Sequence, residues 1–382
     1  MAPAWRVFIG LMAVTALMGC RHLPPQLTLL PGTSTPGPIQ APLVPPPAVL
    51  NPSPLGATNV PSRPEVAPKY HAPRDTWVAW DSWSATNGMG PAQRRADEDN
   101  TTFEIRSPNG LLTVHAGSRI ALWNGLGFWL GYKPHVEHGQ LWIHGLDVTK
   151  SLAPLLCPTA ITLKTNALIV IDPGHGGASA GAKSSVEDRY EKEFTLAWAM
   201  NIQKVLTSNG LHVVLTRTND LDIVLSNRVA LAEQLKADLF ISLHFNSASG
   251  ANNAAGLETY CVTPAGMPSS LTREFEDDPK QAYTNNLYDV ENLQLAVQIH
   301  HALIVATGSL DRSVRRARFL KVLREQNRPA VLIEGGYLSN RVEARRIADP
   351  AYLQLLAMAV AQSLIDHRAP APVTDSAKAD PP

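Results

Sequence analysis

From about residue 159 to 368, short apolar runs alternate with longer stretches of helical period. The run at 168–171 is continuously apolar, as in a strand buried on both faces, and Asp172, Pro173 and Gly174 end it. Phe194, Ala197, Trp198, Ile202, Val205 and Leu206 fall on one helical face of 191–209, which stops at Gly210. The same patterns predict strands at 211–216, 239–243, 257–262, 319–323 and 330–333, and helices at 225–235, 293–306 and 352–365. This order predicts an α/β fold, a three-layer αβα domain around a largely parallel mixed sheet. Before it, 75–157 carries runs of only three to five residues, at 102–105, 111–115, 120–123, 128–130 and 141–143. Turn pairs such as Asn109-Gly110, Asn124-Gly125 and His138-Gly139 separate them, so this stretch reads as a small β-rich domain of hairpins. Its tryptophans, Trp77, Trp80 and Trp83 among them, supply the bulk a small core needs.

Composition accounts for the ends of the chain. Proline, alanine, serine and threonine dominate 21–74, which is expected to be a disordered linker with polyproline character. The tail at 369–382, rich in Ala, Pro and Asp, is expected to be disordered as well. Lys plus Arg and Asp plus Glu each number 33, so bulk charge gives no case for nucleic-acid binding. At 1–20 a single arginine precedes an apolar run too short to span a bilayer, and Leu17-Met18-Gly19-Cys20 resembles a bacterial lipobox. That resemblance implies cleavage before Cys20 and attachment to a membrane through a lipid on its thiol; an ordinary secretory signal or an uncleaved anchor are the alternatives, and all three export the chain. The chain is thus expected to be exported to the cell envelope or periplasm. Cys157 and Cys261 are the other cysteines; an oxidising compartment permits a disulfide, and two isolated thiols fit equally well.

Three polar residues follow directly on buried strands. His175 lies in a glycine-rich loop after 168–171, His244 ends the run at 239–243, and Glu334 ends that at 330–333. Parallel neighbouring strands would bring all three to one sheet edge, where open α/β folds bind ligands. Glu191 opens the helix after the first loop, a position that suits a carboxylate. Two imidazoles and a carboxylate make a catalytic zinc set with one position left for water, and a further carboxylate is then needed to move the proton. Glu334 fits that role, and Gly335-Gly336 let backbone approach a substrate. His115, His135, His138 and His144 have no spacing that fixes a metal site and read as scattered histidines.

Four motifs, IVIDPGHGG, EKEFTLAWA, DLFISLHFNS and PAVLIEGGYLSN, with VVLTRT and NRVALA between them, resemble the zinc-dependent N-acetylmuramoyl-L-alanine amidases of the amidase-3 family. The resemblance covers the whole of 159–368. It implies one Zn2+ ion and cleavage of the amide joining N-acetylmuramic acid to L-alanine of the peptidoglycan stem. Matched motif by motif, it implies His175, Glu191 and His244 as metal ligands and Glu334 as the catalytic carboxylate. Glu187, Asp188 and Glu193 stand close to Glu191, so the choice of ligand rests on the motif. The β-rich stretch resembles the small module named after the N-terminal domain of copper amine oxidases, which suggests a wall-binding or spacer role.

Tyr337 stands where many relatives have phenylalanine. The acidic stretch 269–289 reads as a lid that regulates access or, equally, as a plain solvated insertion; separately, a protein activator is a candidate partner. Arg217, Arg228, Asp311, Arg312, Arg315 and Arg324 read as structural ion pairs, with anionic stem peptides as the alternative partner of Arg312 and Arg315. Two other functions stay open on residues alone: a zinc peptidase cutting within the stem, and a non-catalytic wall-binding lipoprotein.

Overall fold

A computed structural model describes residues 76–96, 101–158, 163–164, 166–249, 253–272 and 277–366. The expected signal peptide, linker and tail lie outside them. The described residues form fourteen strands: β1 (Trp77–Ala79), β2 (Gln93–Arg94), β3 (Thr102–Ser107), β4 (Gly110–His115), β5 (Ile120–Trp123), β6 (Leu126–Trp129), β7 (His135–Glu137), β8 (Gln140–His144), β9 (Leu168–Pro173), β10 (His212–Leu215), β11 (Leu239–Asn246), β12 (Leu257–Cys261), β13 (Asp311–Arg316) and β14 (Ala330–Tyr337). The helices are α1 (Trp80–Thr86), the short turns α2 (Gly145–Asp147) and α3 (Ala153–Leu156), α4 (Glu191–Ser208), α5 (Leu225–Gln234), α6 (Asp289–Thr307), α7 (Lys321–Arg324), α8 (Arg341–Ala348) and α9 (Pro350–Ile365). Among the described residues, no helix is long and apolar enough to cross a membrane.

Eleven strands form one mixed sheet in the order β10-β9-β11-β14-β12-β13-β6-β5-β4-β3-β2, and β1-β8-β7 form a small antiparallel one. β10, β9, β11 and β14 run parallel, β12 is antiparallel to β14, and β13 and β6 follow β12 in its own direction. The hairpins of β2–β6 thus extend the sheet that carries the αβα layers, while the β7–β8 hairpin belongs to the small sheet. Alternation along the strands explains the layering. Ile169, Ile171, Ile241, Leu243, Val331 and Ile333 face a core with Phe194 and Trp198 of α4, Leu295 and Ile299 of α6, and Leu356 and Val360 of α9. Val170, Phe240, Ala330 and Leu332 face the opposite side, against Ala232 of α5 and Val322 and Leu323 of α7. The first of these cores continues beneath the hairpins, through Phe103, Leu112 and Phe128 to Trp80, Trp83 and Ile143.

Three local expectations need correction. Residues 319–323, expected as a strand, lead into the helical turn α7, because Val322 and Leu323 pack down onto Phe240 and Leu332. The strand in that part of the chain is the charged segment 311–316, with no apolar run to announce it. α8 was also not expected; Asn340 caps it, its side chain accepting from the amides of Val342 and Glu343. Cys157 and Cys261 are both free, and burial pushes the Cys261 thiol up to about 11. The acidic stretch is tied to the hairpins at its start, where Arg119 donates to the carbonyl of Ser269; just before it Arg119 also donates to that of Pro268, and the Tyr132 hydroxyl to that of Gly266. Asp277 accepts from buried Arg318 at 2.6 Å.

Candidate functional site

The parallel register brings the expected polar residues to one edge. Ser242 lies opposite Asp172 and Leu243 opposite Pro173, while His244 lies opposite Glu334. Just below this edge, Asp172 is buried with Arg228, 2.7 Å away, and also accepts from Thr216 at 2.6 Å and Ser242 at 2.8 Å. Charges buried this deeply are tolerable only as a satisfied pair, since losing one partner typically costs about 3–5 kcal/mol. Arg228 also donates to the His175 carbonyl, and Arg217 to that of Gly174. The two arginines read from the sequence as structural thus fix the loop that carries His175.

His175 itself sits at φ 63°, a left-handed conformation unusual for a residue with a side chain. Such strain is stored where function needs it and the surroundings enforce it. Its Nδ1 lies 3.0 Å from the Ser179 hydroxyl, which turns Nε2 toward Glu191, 3.2 Å from Oε2. On the other side, His244 Nδ1 lies 2.9 Å from Glu191 Oε1. Backbone amides complete the carboxylate, Phe245 donating to Oε1 at 3.0 Å and Ala182 to Oε2 at 2.9 Å. Close packing at this point explains Gly174: a Cβ there would lie 2.3 Å from His244 Cε1.

One ligand atom from each of His175, Glu191 and His244 lies within 4.8 Å of the others, and this is the only such His/Cys/Asp/Glu group among the described residues. The two imidazole rings stand 5.0 Å apart at 77°. Glu187 and Glu193 pair with Arg189, and Asp188 with Lys183, so none of these faces the group. Of the other histidines, His115 meets Thr102, and Trp77 makes edge contacts with the rings of His135 and His144. Burial opposes the charge on Glu191, but the hydrogen bonds of His175 and His244 outweigh it and hold the carboxyl far below its usual range. Glu334 behaves oppositely: burial, then the charges of Glu191 and Glu258, raise it well above that range. Its Oε2 is the only buried carboxylate oxygen without a hydrogen-bond partner among the described residues.

Beside the two histidines opens a cavity of about 560 Å³, lined by Asp222, Ile223, Val224, Ser226 and Lys321 as well as His175 and His244. No described residue of 269–289 lines it. Sequence reasoning missed Glu258, buried on β12 opposite Glu334. A lone glutamate inside the apolar run 257–262 was the available signal.

Such a group at a sheet edge has the donors to hold one divalent ion, and a second carboxylate with an unpartnered oxygen stands alongside, a combination suited to hydrolysis. A family model described as N-acetylmuramoyl-L-alanine amidase, Amidase_3, matches residues 169–366, and the chain belongs to that family. It is a peptidoglycan amidase, cutting between N-acetylmuramic acid and L-alanine. Among curated relatives, the probable cell wall amidase LytH of Staphylococcus aureus is 30% identical over 286 residues, 70% of this chain and 84% of the relative. Its counterpart from Staphylococcus epidermidis is 31% identical over 243 residues, 62% of this chain and 70% of the relative. The solved catalytic domain of CwlV, an N-acetylmuramoyl-L-alanine amidase from Bacillus (Paenibacillus) polymyxa var. colistinus, is 34% identical, with 52% of this chain and 97% of that one covered at a TM-score of 0.44.

Proposed function

We propose that this amidase is zinc-dependent, with His175, Glu191 and His244 as its metal ligands and Glu334 as its proton-transfer residue. One observation carries the reading. His175 Nε2 lies 3.2 Å from one oxygen of Glu191 and His244 Nδ1 2.9 Å from the other, while the Ser179 hydroxyl holds the far side of the His175 ring at 3.0 Å from Nδ1. Two imidazole nitrogens and a carboxylate gathered this closely are the donor set that one divalent ion takes up. The Ser179 contact is also the kind of outer hydrogen bond that fixes a ligating imidazole.

Zinc bound there brings a water's pKa toward neutrality and polarises a carbonyl. The chain's own residues do the rest. Glu334 receives the proton of the attacking water at its unpartnered Oε2 and passes it to the departing nitrogen of L-alanine. Its raised proton affinity suits both halves of that transfer. The partly apolar cavity beside the histidines offers room for substrate groups flanking the cut.

Mass spectrometry of digested sacculi tests the reading. Intact stems beginning with L-alanine should be freed from glycan, and a chelator should stop their release. Stems cut internally would instead mark a peptidase, and binding without any release a wall-binding protein.

We further propose that a lipid on Cys20 holds the protein to a membrane in the cell envelope, with 21–74 as tether and 75–157 as an accessory wall-facing module. The lipobox-like sequence and the proline-rich composition support this. A Cys20→Ser chain should move from the membrane to the soluble fraction; unchanged membrane retention would rule out the lipid.

A further inference from the structure

Beside the proton-transfer carboxylate lies a charged cluster that the reaction as described leaves unused. Its centre is Glu258, 1% exposed, whose backbone lies opposite Glu334 across the antiparallel β12–β14 pair. Facing residues in such a pair have Cα atoms about 4.5–5.5 Å apart. Oε2 of Glu258 accepts from the Tyr260 hydroxyl at 2.6 Å and from Asn246 Nδ2, at the end of the strand bearing His244, at 3.1 Å. Oε1 accepts from Arg312 Nε at 2.8 Å, Arg315 Nη1 at 2.9 Å and the Tyr337 hydroxyl at 3.2 Å. A carboxylate offers about four lone-pair sites, so this one is saturated. Burial opposes its charge, but the Tyr260 hydrogen bond and the two guanidinium groups hold its carboxyl below the usual range.

Two guanidinium groups meet one carboxylate here, which leaves one positive charge over. That charge is not buried away. Arg315 is 16% exposed and lies between the rings of Trp129 and Tyr260, at 5.4 and 5.9 Å from their centroids. Arg312 is 33% exposed and flanks Tyr337 at 5.2 Å. Only its Nε is engaged, so both terminal amino groups lack an acceptor among the described residues. Those two groups are the half of a guanidinium that grips a carboxylate by two parallel hydrogen bonds. A purely structural pair would use one arginine for one glutamate. Here the tyrosine hydroxyls and Asn246 already help satisfy Glu258, and the second cation remains turned outward.

Position then selects the ligand. The cluster shares the sheet edge with His244 and Glu334, and an extended peptide advances about 3.5 Å per residue, so the first stem residues beyond the cut are those within reach. We propose that Arg312, held at its Nε by Glu258, receives a carboxylate of the stem peptide and so determines which stems this enzyme cuts. The inference rests on the amidase reading above and adds a preference for acidic over amidated stems.

Three synthetic muramoyl peptides of one sequence test it: one with every carboxylate free, one amidated at the second stem residue, and one amidated at the terminal carboxyl. With the zinc-loaded full chain, kcat/KM should fall roughly 10- to 100-fold on one amidated peptide, mainly through KM, as expected for losing charge-assisted hydrogen bonds. Which peptide falls identifies the carboxylate. In Arg312→Gln the ratio between free and amidated substrate should drop to near one. Arg312→Lys keeps the charge but loses the two-pronged grip, and guards against a folding defect; it too must lower the ratio. Equal turnover of all three peptides by the wild type, or an unaltered ratio in both variants, overturns the proposal. Failure of the wild type to cut any of them overturns the amidase reading itself, a result distinct from cutting all three alike.

Discussion

In Glu334→Gln, kcat falls by roughly 10²- to 10⁴-fold while zinc content stays at the wild-type level. Glutamine keeps the shape of the side chain and removes only its capacity to hold and release a proton, so the measurement separates proton transfer from packing. Thermal melting of the metal-free variant supplies the second half of the test. Burial, Glu191 and Glu258 all disfavour the Glu334 carboxylate, so its charged form costs the fold stability at neutral pH. A neutral isostere relieves that cost, and the metal-free variant should melt no lower than the wild type. A group that lowers stability while raising activity is what a reactive site requires. Near-normal turnover by Glu334→Gln would remove it from the chemistry.

The second large effect concerns the ion. His175→Ala and His244→Ala each bring bound zinc from about one ion per chain to a small fraction, with turnover falling to near background. Removing an outer hydrogen bond to a metal ligand typically costs 10- to 100-fold in affinity, and removing the ligand itself should cost more. Elemental analysis of the purified variants after dialysis reads this directly. It also tells the two residues from Glu334: the histidine variants lose metal and activity together, the glutamate variant activity alone. Full zinc occupancy in either histidine variant would refute the assigned ligand set.

Much of this site could be read in the sequence because buried parallel strands impose a simple code. A continuous apolar run that ends abruptly in a histidine or glutamate states both that the strand is internal and which side chain stands at its end. For His175, His244 and Glu334 the runs at 168–171, 239–243 and 330–333 gave that information locally. The choice among the acidic residues around Glu191 was harder, because four carboxylates within seven residues differ only in where the chain turns. Arg189 draws off Glu187 and Glu193, and Lys183 draws off Asp188, leaving Glu191 at the first turn of α4 against both imidazoles.

Other features depend on partners far along the chain. The strand 311–316 reads DRSVRR and has no apolar run, yet it forms inside the sheet because its charges are met from elsewhere. Asp311 accepts from His300 on α6 and from the Gly127 amide, while Arg312 and Arg315 reach Glu258. Conversely, the apolar run 319–323 is too short for periodicity to distinguish strand from helix, and its fit against α5 and the sheet decided the outcome. The sequence alone therefore determined the layered α/β architecture and put forward His175, His244 and Glu334 as candidate site residues, because each is announced by residues adjacent in the chain. Only the tertiary structure decided that the hairpins of β2–β6 prolong the same sheet, that Glu334 holds an unpartnered oxygen, and that Glu258 with its two arginines stands across from it. Strand neighbours, burial and ion-pair partners are set by contacts between segments far apart in sequence, and no local pattern encodes them.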